Sequence, residues 1–186
     1  MDEAEPIQET EAPKTNPMLM PKIGKVVVNI TTGQSGEPLN RAINLLENLT
    51  GQRPCTRRAK QTIRTFGIRR NEPIACVVTL RRDRAEDFLV KALEAVGNRI
   101  SPRSFDKRGN FAFGIREHID IPGTRYNPEL GIMGMDVMVT IERKGYRVTR
   151  RRRIKSNVGR GHLVSRDEAM EFIKSRFGTQ VVLPSE

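Results

Sequence analysis

Apolar and polar residues alternate along this chain with two different periods, and those periods divide it into elements. From Lys22 to Ile30, Val26, Val28 and Ile30 take one face while Lys25, Val27 and Asn29 take the other, the two-residue repeat of a half-buried strand. Leu39, Ala42, Ile43, Leu46 and Leu49 then recur at helical spacing, with Pro38 suited to a first helical position and Gly51 to a left-handed stop. A second strand runs from Ile74 to Arg81. A second helix presents Phe88, Leu89, Ala92, Leu93 and Val96, with Asp83 and Glu86 in capping-box register and Gly97 at its end. Phe111 to Glu117 forms another strand after a polar loop. In the next, Met135, Val137, Val139 and Ile141 alternate with Asp136, Met138 and Thr140. Ser165 and Glu168 offer a further capping box to a last helix faced by Ala169, Phe172, Ile173 and Phe177, and Val181 to Leu183 reads as a frayed strand.

The order strand, helix, strand, helix, strand, strand, helix predicts an α+β fold. Its sheet, antiparallel or mixed, has helices packed on one face and an open polar face on the other. Asn29, Thr79 and Thr140 fall on the open face, which would suit folded RNA. Residues 21–183 form a single domain, including a basic arm at 143–160 and the C-terminal helix at 165–177. Residues 1–20 hold five acids, one base and three prolines with few apolar residues, so they read as a disordered acidic tail.

Charge then points to a partner. The whole chain carries +11, and because the first 20 residues are acidic, the remainder carries +15. A body this basic implies a polyanionic partner. Membrane lipid is set aside, since no apolar run is long enough to span a bilayer and no signal peptide stands out. Between Gly51 and Asn71 the bases Arg53, Arg57, Arg58, Lys60, Arg64, Arg69 and Arg70 occur without one acid, and Phe66 and Ile68 interrupt them. Guanidinium forks match phosphate oxygens, and Phe66 offers a ring on which an unstacked base can lie. A second run, Arg143 to Arg160, holds nine bases including Arg150, Arg151, Arg152 and Arg153, and its glycines suggest a flexible arm laid along phosphates.

Catalytic chemistry finds little footing. Cys55 and Cys76, 21 positions apart with only His118 and His162 as companions, lack the spacing of a zinc site and read as two reduced thiols. His118, in Arg-Glu-His-Ile-Asp, reads as a loop or surface residue, and no phosphate-binding glycine loop is present. No enzyme activity, cofactor or metal is expected. A free-standing basic RNA-binding or RNA-modifying protein is the alternative that residue chemistry alone leaves open.

Several segments, in order, resemble one family: Lys25-Val-Val-Val-Asn29, Thr50-Gly-Gln52, Thr56-Arg-Arg-Ala-Lys60, Phe66-Gly-Ile-Arg69, Val78-Thr-Leu-Arg-Arg-Asp-Arg84, Ser104-Phe-Asp-Lys-Arg-Gly-Asn110, Gly114-Ile-Arg-Glu117 and Gly134-Met-Asp136. The set is similar to the "L-five" family of large-subunit ribosomal proteins, which bind 5S ribosomal RNA. The basic run after Tyr146 and the capped last helix resemble its archaeal type. The resemblance implies a cytoplasmic structural protein in the central protuberance of the large subunit. Asn29, Gln52, Thr56, Arg57, Lys60, Phe66 and Thr79 would hold 5S RNA, joined by Arg53, Arg58 and Arg64 from the same basic stretch. It further implies that Gly67, Ile68, Arg69, Arg70, Asn71 and Glu72 reach the peptidyl-site (P-site) transfer RNA. Other implied partners are large-subunit RNA for Arg150 to Arg153, other central-protuberance proteins, and a protein of the small-subunit head.

Overall fold

The computed structural model describes residues 16–182. Most of the acidic tail, and Leu183 of the final strand, therefore lie outside the described residues. The first strand, β1 (Pro21–Thr31), is central. It is flanked on one side by β3 (Pro73–Leu80) and β2 (Cys55–Arg58), and on the other by β6 (Met135–Arg143) and β5 (Phe111–Ile115), in the order β2-β3-β1-β6-β5. Every neighbouring pair is antiparallel. The alternation read from β1 is realised in register: Val26 lies between Leu80 and Val139, and Val28 between Val78 and Val137, so one face is a continuous apolar layer.

Helices α1 (Glu37–Thr50) and α2 (Asp83–Ala95) supply the apolar stripes that join that layer in one core. α1 buries Leu39, Ala42, Leu45 and Leu46, and α2 buries Ala85, Phe88, Leu89, Ala92 and Leu93. Gly51 ends α1 at φ 62°, a left-handed position that glycine adopts without a Cβ penalty. Helix α4 (Arg166–Phe177) adds Ala169 and Ile173 and begins with the expected capping box: Ser165 Oγ accepts from the Glu168 amide while the Glu168 carboxylate accepts from the Ser165 amide.

Several expectations are corrected. The signature at Asp83 and Glu86 forms no capping box, because the N-cap is Arg82, at φ 55° and without a side-chain cap, and Asp83 is already helical. Its carboxylate instead sits in the first turn, where the helix dipole favours it. Two strands were not foreseen. One is β2, built from Cys-Thr-Arg-Arg; the other is β4 (Arg99–Ile100), which pairs in parallel with β7 (Gln180–Val181) in a small second sheet. His118 is not a surface residue: it is 1% exposed.

The second basic run is partly built into the body. Arg143, at the end of β6, is buried and donates to the Glu168 carboxylate at 2.8 Å and to the Gly161 carbonyl at 3.0 Å. A short helix, α3 (Arg147–Arg150), follows, and Arg150 is paired with the buried Glu142.

Candidate nucleic-acid interface

The basic stretch after α1 folds as one hairpin projecting from the sheet edge. β2 pairs with β3 from Cys55↔Val77 to Arg58↔Pro73. Backbone bonds extend the pairing outward: Ala59 donates to Glu72 and accepts from Asn71, and Ile63 and Ile68 exchange both of theirs. The tip is a 3-10 turn, Arg64–Phe66, closed by Gly67 at φ 68°. An edge strand tolerates such a density of charge because its outer side faces solvent, and charge there blunts unwanted pairing.

Arg53, Arg57, Arg58, Lys60, Arg64, Arg69 and Arg70 are all exposed, and among the described residues none of the seven makes an ion pair. Phe66 at the tip is 73% exposed, so its ring contributes nothing to the core. Exposing a large aromatic amid cations costs hydrophobic free energy, and a stacked base would recover it.

Glu72, the one acid of the hairpin, is occupied internally. Its carboxylate accepts from the Arg69 amide at 2.9 Å and from the Ser35 hydroxyl at 2.7 Å, and these bonds, the backbone one foremost, hold its pKa below the usual glutamate range. Asn71 takes φ 68°, which asparagine tolerates better than most residues, and Thr62 Oγ1 accepts from the Arg70 amide. The return arm is thereby held while the side chains of Arg69 and Arg70 make no ion pair among the described residues. Ser35 and Thr62 were missed by sequence reading; nothing in their local pattern signals that they brace a loop 8 to 37 residues away.

The other predicted residues divide between faces. Asn29, opposite Val77 and Asp136, and Thr79, opposite Val27, lie on the open face, as Arg57 does opposite Ala75. Thr56 alternates to the helix side of the edge strand, where it remains exposed. Asn29 Nδ2 donates to Thr31 and to Asp136, which fixes its amide on this surface. Lys25 and Thr140 continue the open face, and Val27, Val77 and Met138 give it apolar patches between the polar groups. Gln52 lies exposed at the foot of the hairpin. Arg151, Arg152 and Arg153 are exposed beyond α3, away from any acid partner among the described residues.

Cys55 is exposed on the edge strand, whereas burial pushes the Cys76 thiol up to about 11. Among the described residues, no cluster of three histidines, cysteines or carboxylates could hold a metal ion, and no helix is long and apolar enough to cross a membrane.

Comparison with known proteins covers nearly all of these elements. The family model for ribosomal protein L5 matches residues 16–69, and that for the C-terminus of the ribosomal L5 family matches residues 73–173. The large ribosomal subunit protein uL5 of Pyrobaculum aerophilum is 54% identical over 168 residues, 90% of this chain and 94% of its own. Its counterpart in Aeropyrum pernix is 52% identical over 170 residues, 91% of this chain and 88% of its own. That of Methanococcus maripaludis is 47% identical over 169 residues, 89% and 93% of the two chains.

Proposed function

Because the chain belongs to the ribosomal protein L5 family, we infer that it is a structural component of the large ribosomal subunit and not an enzyme, and we propose that its permanent partner there is 5S ribosomal RNA. The observation that carries the reading is the edge hairpin, whose seven exposed cations have no ion-pair partner among the described residues and whose tip presents Phe66 to solvent. The base of the hairpin and the adjoining open face, with Arg57, Lys60, Gln52, Asn29 and Thr79, would hold the RNA through phosphates and a minority of base contacts. Arg53, Thr56, Arg58 and Arg64 flank that surface. Arg151 to Arg153 would meet large-subunit RNA, with other central-protuberance proteins and the small-subunit head as further neighbours.

The return arm, Gly67 to Glu72, is assigned to P-site transfer RNA. Arg69 and Arg70 are its cations, and Glu72 serves as the internal fastener that aims them rather than as a contact, since a carboxylate would repel phosphate.

Two measurements test the assignment. Replacing both Arg57 and Lys60 by Ala should reduce the slope of log affinity for 5S RNA against log salt by about 1.4 to 1.8, at roughly 0.7 to 0.9 per lost phosphate contact. An unchanged slope removes those two residues from the phosphate interface. In purified ribosomes, Arg69→Ala with Arg70→Ala should leave 5S RNA binding nearly intact while weakening retention of labelled transfer RNA in the P site, most visibly as salt rises. Unchanged retention across the salt series rejects the loop assignment, and loss of 5S binding moves the loop into the permanent interface. A chain that sediments apart from large subunits and turns over RNA would instead be the free-standing alternative.

A further inference from the structure

On the helix side of the sheet, opposite the RNA-facing surface, a cavity of about 400 Å³ opens between α1, α2 and the segment that follows β5. Leu45, Leu49, Phe88 and Leu130 give it apolar walls, while Lys91 and Arg125 line it with exposed cations, and among the described residues no carboxylate lines it. His118 also lines it. Its Nδ1 accepts the Met133 amide at 3.4 Å, which leaves the ring proton on Nε2, and Nε2 is buried without a hydrogen-bond partner among the described residues. A buried donor left unpaired is costly, and an acceptor brought in by a ligand would remove that cost.

A track of amides leads to this cavity. Asn40 and Asn44 line a second hollow along α1, together with Glu37, Arg41 and Glu129, that shares Leu130 with the first, and Asn48 lines the cavity itself. The three are exposed, and the side-chain bonds along α1, from Arg41 to Glu37 and from Thr50 to the Leu46 carbonyl, leave their amides without a partner among the described residues. Spaced four residues apart on a helix, they rise by about 6 Å per step. The two-residue repeat of an extended peptide is about 6.6 Å. Each Asn can therefore donate to and accept from every second residue of a chain laid along α1.

We propose that this track and cavity dock an extended segment of a neighbouring protein, one that places an aliphatic side chain beside a carboxylate. The aliphatic group fills the Leu45, Leu49 and Phe88 walls, and the carboxylate takes the His118 Nε2–H with Lys91 and Arg125 beside it. Nucleic acid fits less well. α1, α2 and residues 117–130 together carry nine acids against four bases, a net charge that disfavours a phosphate backbone, whereas a single carboxylate inside the cavity meets Lys91 and Arg125.

The test uses the isotopically labelled full chain, with three probes followed by NMR: acetyl-Ala-Leu-Asp-amide, acetyl-Ala-Leu-Asn-amide and uridine 5′-monophosphate. The Asp peptide should shift the His118 ring signals and the side-chain amides of Asn44 and Asn48. Its affinity should fall about tenfold both in the Asn peptide and in a Lys91→Gln, Arg125→Gln variant, whose exposed positions leave the fold intact. Asn44→Ala with Asn48→Ala should weaken both peptides alike. Equal binding of the two peptides, or silence of the Asp peptide into the millimolar range, overturns the proposal. Shifts at His118 produced by the nucleotide alone overturn it in favour of an RNA site.

Discussion

The hairpin from Arg53 to Arg70 and the segment from Arg143 to Arg153 each contain seven bases, and composition cannot tell them apart. Folding separates them. In the second, Arg143 and Arg150 are taken up by Glu168 and Glu142, and Arg151 Nε donates to the Ile154 carbonyl at 2.7 Å. In the first, none of the seven cations makes an ion pair among the described residues, and Glu72, the hairpin's own carboxylate, is committed to a backbone amide and a serine. Buried pairing turns charge into structure, whereas unpaired exposed charge is left for a partner. A count of arginines therefore overstates the second surface and describes the first correctly.

The sharpest way to break that contrast is to remove one arginine from each stretch. Arg143→Ala strips a buried cation from the Glu168 carboxylate and the Gly161 carbonyl, and should cost about 3 kcal/mol in urea unfolding. Arg57→Ala, at an exposed edge position, should change stability by no more than about 0.5 kcal/mol. Equal losses would mean that the hairpin arginines also hold the fold.

Phe66 sharpens the same point with an uncharged group. Phe66→Ala should leave the melting temperature near wild type, yet weaken 5S RNA binding by about 1–3 kcal/mol, the usual worth of a stacked base. A large fall in melting temperature with unchanged RNA affinity would contradict both halves.

The smallest expected effect concerns Glu72. Because its folded-state pKa lies below its unfolded value, the carboxylate stabilises the return arm at neutral pH, and that contribution is lost as pH falls through the depressed folded value. Hydrogen exchange at the Arg69 amide, followed downward in pH, should show protection fading only below the ordinary glutamate range. In Glu72→Gln the same amide should exchange with no such step. Fading at the ordinary glutamate value would show that the two bonds do not lower the pKa.

The alternating strands were legible because burial on one face imposes a period of two on Val26, Val28 and Ile30, and α1 and α2 were legible from their stripes. What stayed hidden depended on distant partners. β2 is four exposed residues without an apolar period, and it is a strand because β3 offers it an edge. His118 is buried in a 3-10 turn, and the Met133 amide, fifteen residues on, donates to its ring. Two capping signatures of the same spacing came out differently: Ser165 takes an extended N-cap conformation, whereas at the other site Arg82 holds the N-cap and Asp83 is already in the helix. For the candidate interface, the basic stretch and Phe66 were plain in the sequence. That the segments assigned to two different RNAs form the two arms of one hairpin was not, because the bonds from Ala59 to Glu72 and from Ile63 to Ile68 leave no local trace.

The strand order has a consequence for how the chain is made. β1 emerges first from the site of synthesis but ends in the middle of the sheet, with β3 on one side and β6, more than a hundred residues later, on the other. A growing chain can assemble β1, α1, the hairpin and β3 as an early three-stranded half, with one edge of β1 unpaired until β6 arrives. During that interval the molecule already displays its cationic hairpin while an apolar sheet edge stands open, the combination most prone to stray pairing. Early capture of the hairpin by RNA would keep a half-made chain apart from its neighbours until the missing strand closes the gap.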